Sequence, residues 1–322
     1  MKKLLASALL CAALALSVAA ETYQIAVIPK GTTHEFWKSI HAGALAAAKE
    51  LEAGGVEAKI IWKGPLREDD REQQVQVVEN FTGRRVSGIV LAPLDSKALV
   101  GPVSAAARGG IPTVVIDSAL NADTPVSFVA TDNYKGGTLA ARRLGELLGG
   151  KGKVILLRYA VGSASTEARE AGFVDTLKKE FPDIALVSAD QHAGATRDTA
   201  KRASENLINR YGRALDGVFC PNESSTVGML LALRDAGLAQ GRVKFVGFDA
   251  GAQTLQALKA GDLQGLVVQN PYRMGYLGVK TLVDHLQGKP VEKEIDTGCA
   301  LVTKENLDTP DVVALIKPPE AK

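Results

Sequence analysis

The strongest constraint on the fold of this chain is a regular alternation of short β-branched runs with longer amphipathic segments. The run from Tyr23 to Pro29 precedes a helical pattern from about Glu35 to Ala53, in which apolar residues recur at spacings of three and four. The same step is repeated up to Asp117, with strands predicted at 57–62, 88–92 and 112–117 and helices at about 70–84 and 96–108. Such alternation predicts βαβ units and a parallel sheet.

The pattern restarts in the second half of the chain, which predicts a second lobe. A strand at 126–131 is followed by a helix at about 134–148 and a strand at 153–158, and the alternation continues to about residue 287. A run at 294–302 completes the pattern, and the tail from Thr303 does not repeat it. No low-complexity linker separates the halves, so we expect several closely spaced crossings between the lobes and no single flexible tether.

The first twenty residues are predicted to be a signal peptide. Lys2 and Lys3 precede an apolar run from Leu4 to Leu16, and Val18-Ala19-Ala20 supplies the small residues of a cleavage site. The alternative is a retained membrane anchor, which needs about 20 apolar residues where this run offers fewer. Cleavage and export predict a periplasmic protein without membrane insertion.

Charge argues against a nucleic-acid partner. The full chain has 38 Lys plus Arg against 36 Asp plus Glu, and removing 1–20 takes away two lysines and leaves 36 of each. A net charge of zero lacks the basic surface that phosphate-backbone binding requires. The ligand must therefore be recognised locally, and we expect a monomer that binds a small molecule.

Cysteines and histidines indicate neither a metal site nor a required disulfide. Of the three cysteines, Cys11 lies in the predicted signal peptide, and Cys220 and Cys299 are far apart in the sequence. Whether these two pair is left open, because an exported chain of this size does not need a covalent link. The four histidines show no metal-ligand spacing, so we expect no metal and no cofactor.

Polar side chains follow nearly every predicted strand. In open parallel sheets the ligand crevice lies beyond the carboxyl ends of the strands, where helix N-termini also point. Any one of these residues can equally serve as a helix cap. As a set, planar amide, carboxylate and guanidinium groups suit a ligand covered in hydroxyls. The strand-end residues are Lys30, Asp95, Asp117, Asn133, Arg158, Tyr159, Asp190, Asn222, Asp249 and Gln269.

Aromatic residues near these ends offer a surface for the apolar side of a sugar ring. Phe36 and Trp37 lie with His34 on the first turn of the first predicted helix. Trp37 and Trp62 are the two tryptophans of the chain, and both are expected at the crevice. The alternative for Trp62 is ordinary core packing.

Several of these segments together resemble the ribose-binding type of periplasmic sugar-binding protein, whose fold also serves the effector domain of LacI-type repressors. The resemblance covers almost the whole mature chain. It is carried by Ile25-Ala-Val-Ile-Pro29, His34-Glu-Phe-Trp37, Ile89-Val-Leu-Ala-Pro93, Val114-Val-Ile-Asp117, Ala130-Thr-Asp-Asn133, Phe219-Cys-Pro-Asn222, Val246-Gly-Phe-Asp249 and Val268-Gln269.

The resemblance implies an α/β fold of two Rossmann-like lobes with parallel sheets joined by three hinge crossings. The N-terminal lobe would comprise 21–131 plus 270–297, and the C-terminal lobe 132–269 plus 298–322. A sugar or sugar derivative would bind between the lobes and be delivered to an ABC transporter permease. The resemblance also implies ligand-binding residues, which are His34, Phe36, Trp37, Asp117, Asn133, Arg169, Asn222, Asp249 and Gln269. The strand-end residue Lys30 is added to them as a basic donor.

Departures from the family pattern bear on specificity. Ala92 and Ser118 stand where the family has an asparagine and an arginine, and no aromatic residue lies near Ala195. The position of the sugar-binding arginine is uncertain in register, because alignment on Gly172-Phe173 places Glu167 there instead of Arg169. These departures indicate a ligand other than plain ribose.

Basic residues near the proposed cleft suggest an acidic sugar derivative. Lys30, Lys63, Arg67 and His192 could each donate to an anion. The alternative is that Lys63 and Arg67 belong to a solvated loop beside Glu68, Asp69 and Asp70.

Two other functions are weighed against transport. The chain has no G-x-S-x-G motif and no phosphate-binding loop, and carboxylates such as Asp117, Asp132 and Asp249 are explained by hydroxyl binding, so we expect no enzyme. A binding protein could instead present its ligand to a chemoreceptor or sensor histidine kinase. The sequence does not separate these partners from a permease.

Overall fold

The computed structural model describes residues 21–317, so the predicted signal peptide and the last five residues lie outside the described part of the chain. Two six-stranded sheets organise the described residues. The first sheet is parallel throughout and has the order β11-β5-β4-β3-β1-β2. Its strands are β1 (Glu21–Ile28), β2 (Val56–Trp62), β3 (Gly88–Leu91), β4 (Thr113–Ile116), β5 (Ser127–Ala130) and β11 (Glu294–Asp296).

Four helices cover the two faces of the first sheet, and together with it they form the first lobe. Alternate residues of β1 enter opposite cores: Ile25 and Val27 pack on one side, and Ala26 and Ile28 on the other. The first core is shared with α1 and α9, and the second with α2 and α3. The bounds are α1 (Glu35–Ala53), α2 (Arg71–Gly83), α3 (Val100–Arg108) and α9 (Pro271–Leu286).

The second sheet has the order β12-β10-β9-β8-β6-β7, and its edge strand β12 is antiparallel to β10. The strands are β6 (Gly152–Leu156), β7 (Ile184–Ser188), β8 (Gly217–Phe219), β9 (Lys244–Phe248), β10 (Gly265–Gln269) and β12 (Cys299–Val302). The helices of this second lobe are α4 (Asn133–Leu147), α5 (Ala164–Glu180), α6 (Arg197–Tyr211), α7 (Glu223–Asp235), α8 (Ala252–Ala260) and α10 (Pro310–Ile316), with a 3₁₀ turn at Gly212–Ala214.

The chain passes between the two sheets three times: after β5, after β10 and after β11. These short crossings bring the carboxyl ends of both sets of parallel strands to face each other. The α/β fold with two mostly parallel sheets, predicted from the alternation and the resemblance, is confirmed.

Three details differ from the sequence expectations. The run at 294–302 is two strands in different sheets, because Gly298 turns the chain with φ +78° between them. The tail after Thr303 contains a further helix, α10, which begins at Pro310. Helix α3 begins at Val100 and is therefore shorter than the predicted 96–108.

Cys220 and Cys299 are both free thiols. Cys220 belongs to the core that α6 and α7 share with the second sheet, whereas Cys299 packs on the opposite face. Two strands lie between β8 and β12, which places the cysteines roughly 14 Å apart at ordinary strand spacing. That separation exceeds the reach of a disulfide, so the pairing left open by the sequence is not formed.

Neither a membrane-spanning helix nor a cluster of metal ligands occurs in the part of the chain that the structure describes. Between residues 21 and 317, no helix combines the length and apolar character needed to cross a membrane. In the same range, no group of three or more His, Cys, Asp or Glu side chains is arranged to hold a metal ion.

Candidate functional site

A polar cavity lies between the two lobes, where the carboxyl ends of the parallel strands face each other. Its volume is about 30 Å³, which accommodates one to a few water molecules. The lobes are therefore closed on each other, and a larger ligand requires them to move apart. The cavity is lined by Lys30, His34, Phe36, Trp37, Glu68, Asp117, Tyr159, Ser163, Ser165, Thr166, Arg169, Asn222, Glu223, Asp249 and Gln269.

The structure brings the predicted site residues together. Every one of them lines the cavity except Asn133, which supports it from behind. The Asn133 side chain accepts a hydrogen bond from Arg169 Nε at 2.9 Å and donates to the backbone oxygen of Asp117 at 3.4 Å. Asn133 thus links a cavity residue of the first lobe to one of the second.

Helix α1 supplies the aromatic wall. His34 is its N-cap residue, so the first turn points its side chains at the space between the lobes. The rings of Phe36 and Trp37 meet edge to face, with centroids 5.0 Å apart, and Trp37 is only 3% exposed. An orthogonal pair of this kind offers both a ring face and a ring edge to a ligand.

A buried ion pair joins the ends of β1 and β4. Lys30 Nζ lies 3.0 Å from Asp117 Oδ2, and both side chains are about 5% exposed. Lys30 also donates across the cleft to Ser165 Oγ at 3.2 Å and more weakly to Ser163 Oγ at 3.4 Å. A cation therefore accompanies Asp117 although Ser118 replaces the arginine of the family pattern.

Asp249 is the central acceptor of the second lobe. Its carboxylate accepts from Gln269 Nε2 at 2.7 Å and from the backbone N–H of Glu223 at 3.0 Å. Burial raises the pKa of Asp249 to about 6, although the charge of Arg169 and the hydrogen bond from Gln269 act in the opposite direction. The carboxylate is therefore costly to ionise until a ligand adds donors to it.

Helix α5 contributes Arg169 to the cavity lining, whereas Glu167 lies outside it. Arg169 is 2% exposed and donates through Nη1 to the Pro221 oxygen at 2.9 Å, while its guanidinium lies 4.1 Å from the Phe248 ring centroid. Glu167 is exposed and accepts from the Gly162 backbone. Of the two residues, Arg169 is therefore the one that lines the cavity.

Three buried polar atoms of the cavity wall have no hydrogen-bond partner. Within residues 21–317, seven buried side-chain atoms have no hydrogen-bond partner, and three of them line the cavity. Those three are Asp117 Oδ2, Arg169 Nη2 and Gln269 Oε1. The contact of Asp117 Oδ2 with Lys30 is electrostatic and not an aligned hydrogen bond. Two acceptors and one donor are left for a ligand, because buried polar groups normally find partners.

Several lining residues were not predicted from the sequence. Glu68 comes from the loop between β2 and α2, and Tyr159 from the loop after β6. Tyr159 adds an aromatic ring from the second lobe to the lining. Its place at a predicted strand end was the available signal, whereas Glu68 was counted with a solvated loop. Glu223, Ser163, Ser165 and Thr166 complete the set.

Other expectations for the cleft were wrong. Trp62 does not line the cavity: its ring stacks on His41 at 4.4 Å, against the core of the first lobe. Lys63, Arg67 and His192 are exposed and also lie outside the lining, and Arg67 pairs with Asp69. These basic residues therefore give no support for an acidic ligand.

Comparison with known proteins assigns the family. The periplasmic binding protein domain matches residues 25–290, which is most of the chain. The chain belongs to the periplasmic binding protein family. The resemblance read from the strand-end motifs is thereby confirmed, and periplasmic location is the location that this family implies.

Individual members of the periplasmic binding protein family are similar over nearly the full length. The D-allose-binding periplasmic protein of Escherichia coli K12 is 32% identical over 269 residues, covering 81% of this chain and 84% of that protein. A solved carbohydrate transporter solute-binding protein of Agrobacterium radiobacter in complex with D-arabinose is 36% identical, with a TM-score of 0.86. The match covers 92% of this chain and 99% of the Agrobacterium radiobacter protein.

A second solved relative supports the same assignment. The ABC transporter solute-binding protein of Agrobacterium vitis with bound D-fucose is 35% identical, with a TM-score of 0.86 over 91% of this chain and 99% of its own. The family is one of solute-binding proteins and not of enzymes.

Proposed function

We propose that this protein captures a monosaccharide or sugar derivative in the cavity between its lobes and delivers it to an ABC permease in the periplasm. The observation that carries the proposal is the set of unpaired cavity atoms. Hydroxyl groups can donate to Asp117 Oδ2 and Gln269 Oε1 and accept from Arg169 Nη2, while the Phe36 and Trp37 rings cover the apolar face of a sugar.

The charges around the cavity favour an uncharged sugar. Lys30 is neutralised by Asp117, and Arg169 lies beside Asp249. Glu68 and Glu223 add further carboxylates to the lining. A ligand carboxylate would meet four carboxylates in the lining, and the cations Lys30 and Arg169 each lie beside one of them, so we propose a neutral aldose, ketose or polyol in place of the acid suggested by the sequence.

Lobe closure is the proposed mechanism of capture. We propose that 21–131 with 270–297 moves as one body against 132–269 with 298–322, about the three crossings. A sugar that contacts both strand-end sets stabilises a form closed around it, in which the lobes lie further apart than around the small cavity described above, so binding shifts the population towards that form. An unmatched polar group in the closed cavity costs about 1 to 3 kcal/mol, which distinguishes epimers.

The relatives support the proposed partner, and the first twenty residues support the proposed export route. The relative from Agrobacterium vitis is an ABC transporter solute-binding protein and the one from Agrobacterium radiobacter is a carbohydrate transporter solute-binding protein, which supports a permease as the partner. Residues 1–20 are proposed as the signal peptide that directs export. Presentation of the sugar to a chemoreceptor or sensor kinase is the alternative, and the genes beside this one would separate the two.

Calorimetric titration of the purified mature protein with neutral pentoses, hexoses, polyols and the corresponding sugar acids tests the function. We expect saturable binding of one or a few neutral sugars, each recovered unchanged after incubation. Binding only to sugar acids would contradict the proposed ligand class, and conversion of the sugar would contradict the role of a carrier. Binding to no member of the panel by protein shown free of bound ligand would contradict the sugar-binding function.

A further inference from the structure

Glu68 occupies an unusual place in the cavity wall. It is 8% exposed, although it lies in a loop whose neighbours Arg67 and Asp69 are exposed. Its side chain passes against Gly31, where a Cβ atom would lie 2.9 Å from Glu68 Cγ. The absence of a side chain at Gly31 therefore makes room for this carboxylate next to the end of β1.

Three donors converge on the Glu68 carboxylate, and they come from both lobes. In the first lobe, Trp37 Nε1 and His34 Nδ1 both lie 2.6 Å from Oε1. From the second lobe, the Tyr159 hydroxyl donates to Oε2 at 2.5 Å. Two of the three donors, His34 and Trp37, belong to the ligand wall of helix α1.

We infer that Glu68 is a positioning residue that links lobe closure to the orientation of the ligand-facing His34 and Trp37 side chains. The hydrogen bonds of the first lobe set the Trp37 ring and fix Nδ1 of His34 as the nitrogen that faces the carboxylate. The third hydrogen bond forms only when Tyr159 arrives with the second lobe. The part of this inference that concerns ligand binding rests on the proposed function.

The charges around the cluster are consistent with this role. Burial opposes ionisation of Glu68, but His34, Tyr159 and Trp37 outweigh it and lower its pKa to about 2. Burial also disfavours a charged His34, yet Glu68 and Glu223 raise its pKa overall against the opposing charge of Arg197. Burial, followed by the charges of Glu68, Asp117 and Asp69, keeps Tyr159 a phenol donor by raising its pKa well above 10.

Opening the lobes has a defined consequence for Glu68. Tyr159 moves away with the second lobe, and the Oε2 atom exchanges a charge-assisted hydrogen bond for water. A hydrogen bond to a charged group contributes more than a neutral one and typically shifts an equilibrium by about 10- to 100-fold. The Glu68–Tyr159 contact therefore slows ligand release more than it speeds ligand capture.

The first half of the experiment needs no ligand. In a Trp62→Phe background, Trp37 is the single tryptophan, and its acrylamide quenching reports its packing. Glu68→Gln keeps the shape of the side chain but removes its charge. We expect faster quenching of Trp37 and a lower His34 pKa in NMR titrations, with signals assigned by His34→Asn. An unchanged His34 pKa in Glu68→Gln would overturn the positioning role.

The second half measures release of a sugar from the panel by stopped flow. Tyr159→Phe removes one hydroxyl, and we expect the dissociation rate to rise about 10- to 100-fold with a small change in the association rate. The matched control is Tyr276→Phe, which removes a tyrosine–carboxylate hydrogen bond to Glu50 within the first lobe. Equal dissociation rates in the two variants would overturn the link to closure.

The two experiments distinguish an error in the proposed function from an error in the role of Glu68. If wild-type protein binds no sugar, the proposed function fails, while the ligand-free measurements on Glu68→Gln still decide the positioning role. If wild-type protein binds and the Tyr159→Phe and Glu68→Gln variants behave like the control, the function stands and the role of Glu68 falls. Thermal unfolding of each variant shows whether the fold is retained.

Discussion

At the level of single residues, two aspartates show how the backbone conformation directs carboxylates into the cavity. Asp117 and Asp249 follow β4 and β9, and both have positive φ angles, +63° and +69°. Few side chains adopt the left-handed region at low cost, and Asp and Asn are the ones that do so most readily after Gly. The backbone turns sharply at both strand ends and directs a carboxylate into the cavity from each lobe.

Asp117→Asn tests the first-lobe acceptor without disturbing this backbone. The amide keeps one acceptor but loses the charge that Lys30 faces, so we expect about 10- to 100-fold weaker sugar binding by calorimetry. Asp117→Ala should bind no better and should also be less stable, because alanine in the left-handed region costs about 1 to 2 kcal/mol. Asp123→Asn, at an exposed position, is the control. Wild-type affinity in Asp117→Asn would refute the assignment.

Asp249 predicts a pH dependence of stability. Its folded pKa of about 6 lies above the unfolded value of 3.8, so its protonated form stabilises the fold. That contribution is fully present below about pH 3.8 and is lost as the pH rises through about 6, by up to about 3 kcal/mol. Asp249→Asn should therefore gain stability relative to wild type between pH 4 and 7 in urea unfolding. Parallel curves for the two proteins would contradict the burial argument.

Closely packed helix pairs hold the site at the level of secondary structure. In the first lobe α1 packs on α9, and a Cβ at Gly43 would lie 1.9 Å from the Tyr272 oxygen. In the second lobe α4 packs on α5, and a Cβ at Gly137 would lie 1.9 Å from the Arg169 oxygen. Each lobe thus uses glycine to bring a helix that carries cavity residues into contact with its neighbour.

Gly43→Ala and Gly137→Ala should each destabilise the protein by about 1 to 3 kcal/mol, because the added methyl group forces the helices apart. Gly137→Ala should also weaken sugar binding, since it displaces the backbone of Arg169. The control is Gly101→Ala in α3, where no atom lies within 4 Å of the added Cβ, and alanine should be neutral or stabilise by up to about 1 kcal/mol. Urea unfolding and calorimetry measure both effects; equal stability of the three variants would argue against the close packing.

At the level of the whole molecule, the two lobes contact each other directly across the cavity. Besides Glu68 and Tyr159, the Ser165 backbone N–H donates to Ser118 Oγ at 3.1 Å, and Arg71 Nη2 donates to the Val161 oxygen at 2.7 Å. These contacts join the rims of the lobes beside the cavity. We expect a sugar to exchange with water more readily when these contacts separate.

Small-angle X-ray scattering should therefore detect closure. The radius of gyration of ligand-free protein should fall when a sugar that binds by calorimetry is added to saturation, because the closed form alone satisfies contacts from both lobes. The Tyr159→Phe variant should reach the same bound value but show a more open ligand-free state. Identical scattering of wild-type protein with and without bound sugar would contradict closure by ligand.

Local patterns in the sequence determined the alternating strands and helices, the two-lobe α/β fold and eight of the cavity residues, and the family resemblance added Arg169. They could do so because strand and helix periods, and the polar residues after parallel strands, are local properties of the chain. Signal peptide 1–20 and the exact lobe boundaries stay predictions.

Only the tertiary structure decided the remaining features. The run 294–302 carries no local sign that its halves join different sheets, since hydrophobic alternation does not specify a partner strand. Trp62 has the same polarity pattern as a cleft aromatic, but the edge position of β2 packs it on His41. Glu68 and Tyr159 are brought together from separate loops of separate lobes, and such long-range contacts depend on how the lobes close, which no short stretch of sequence encodes.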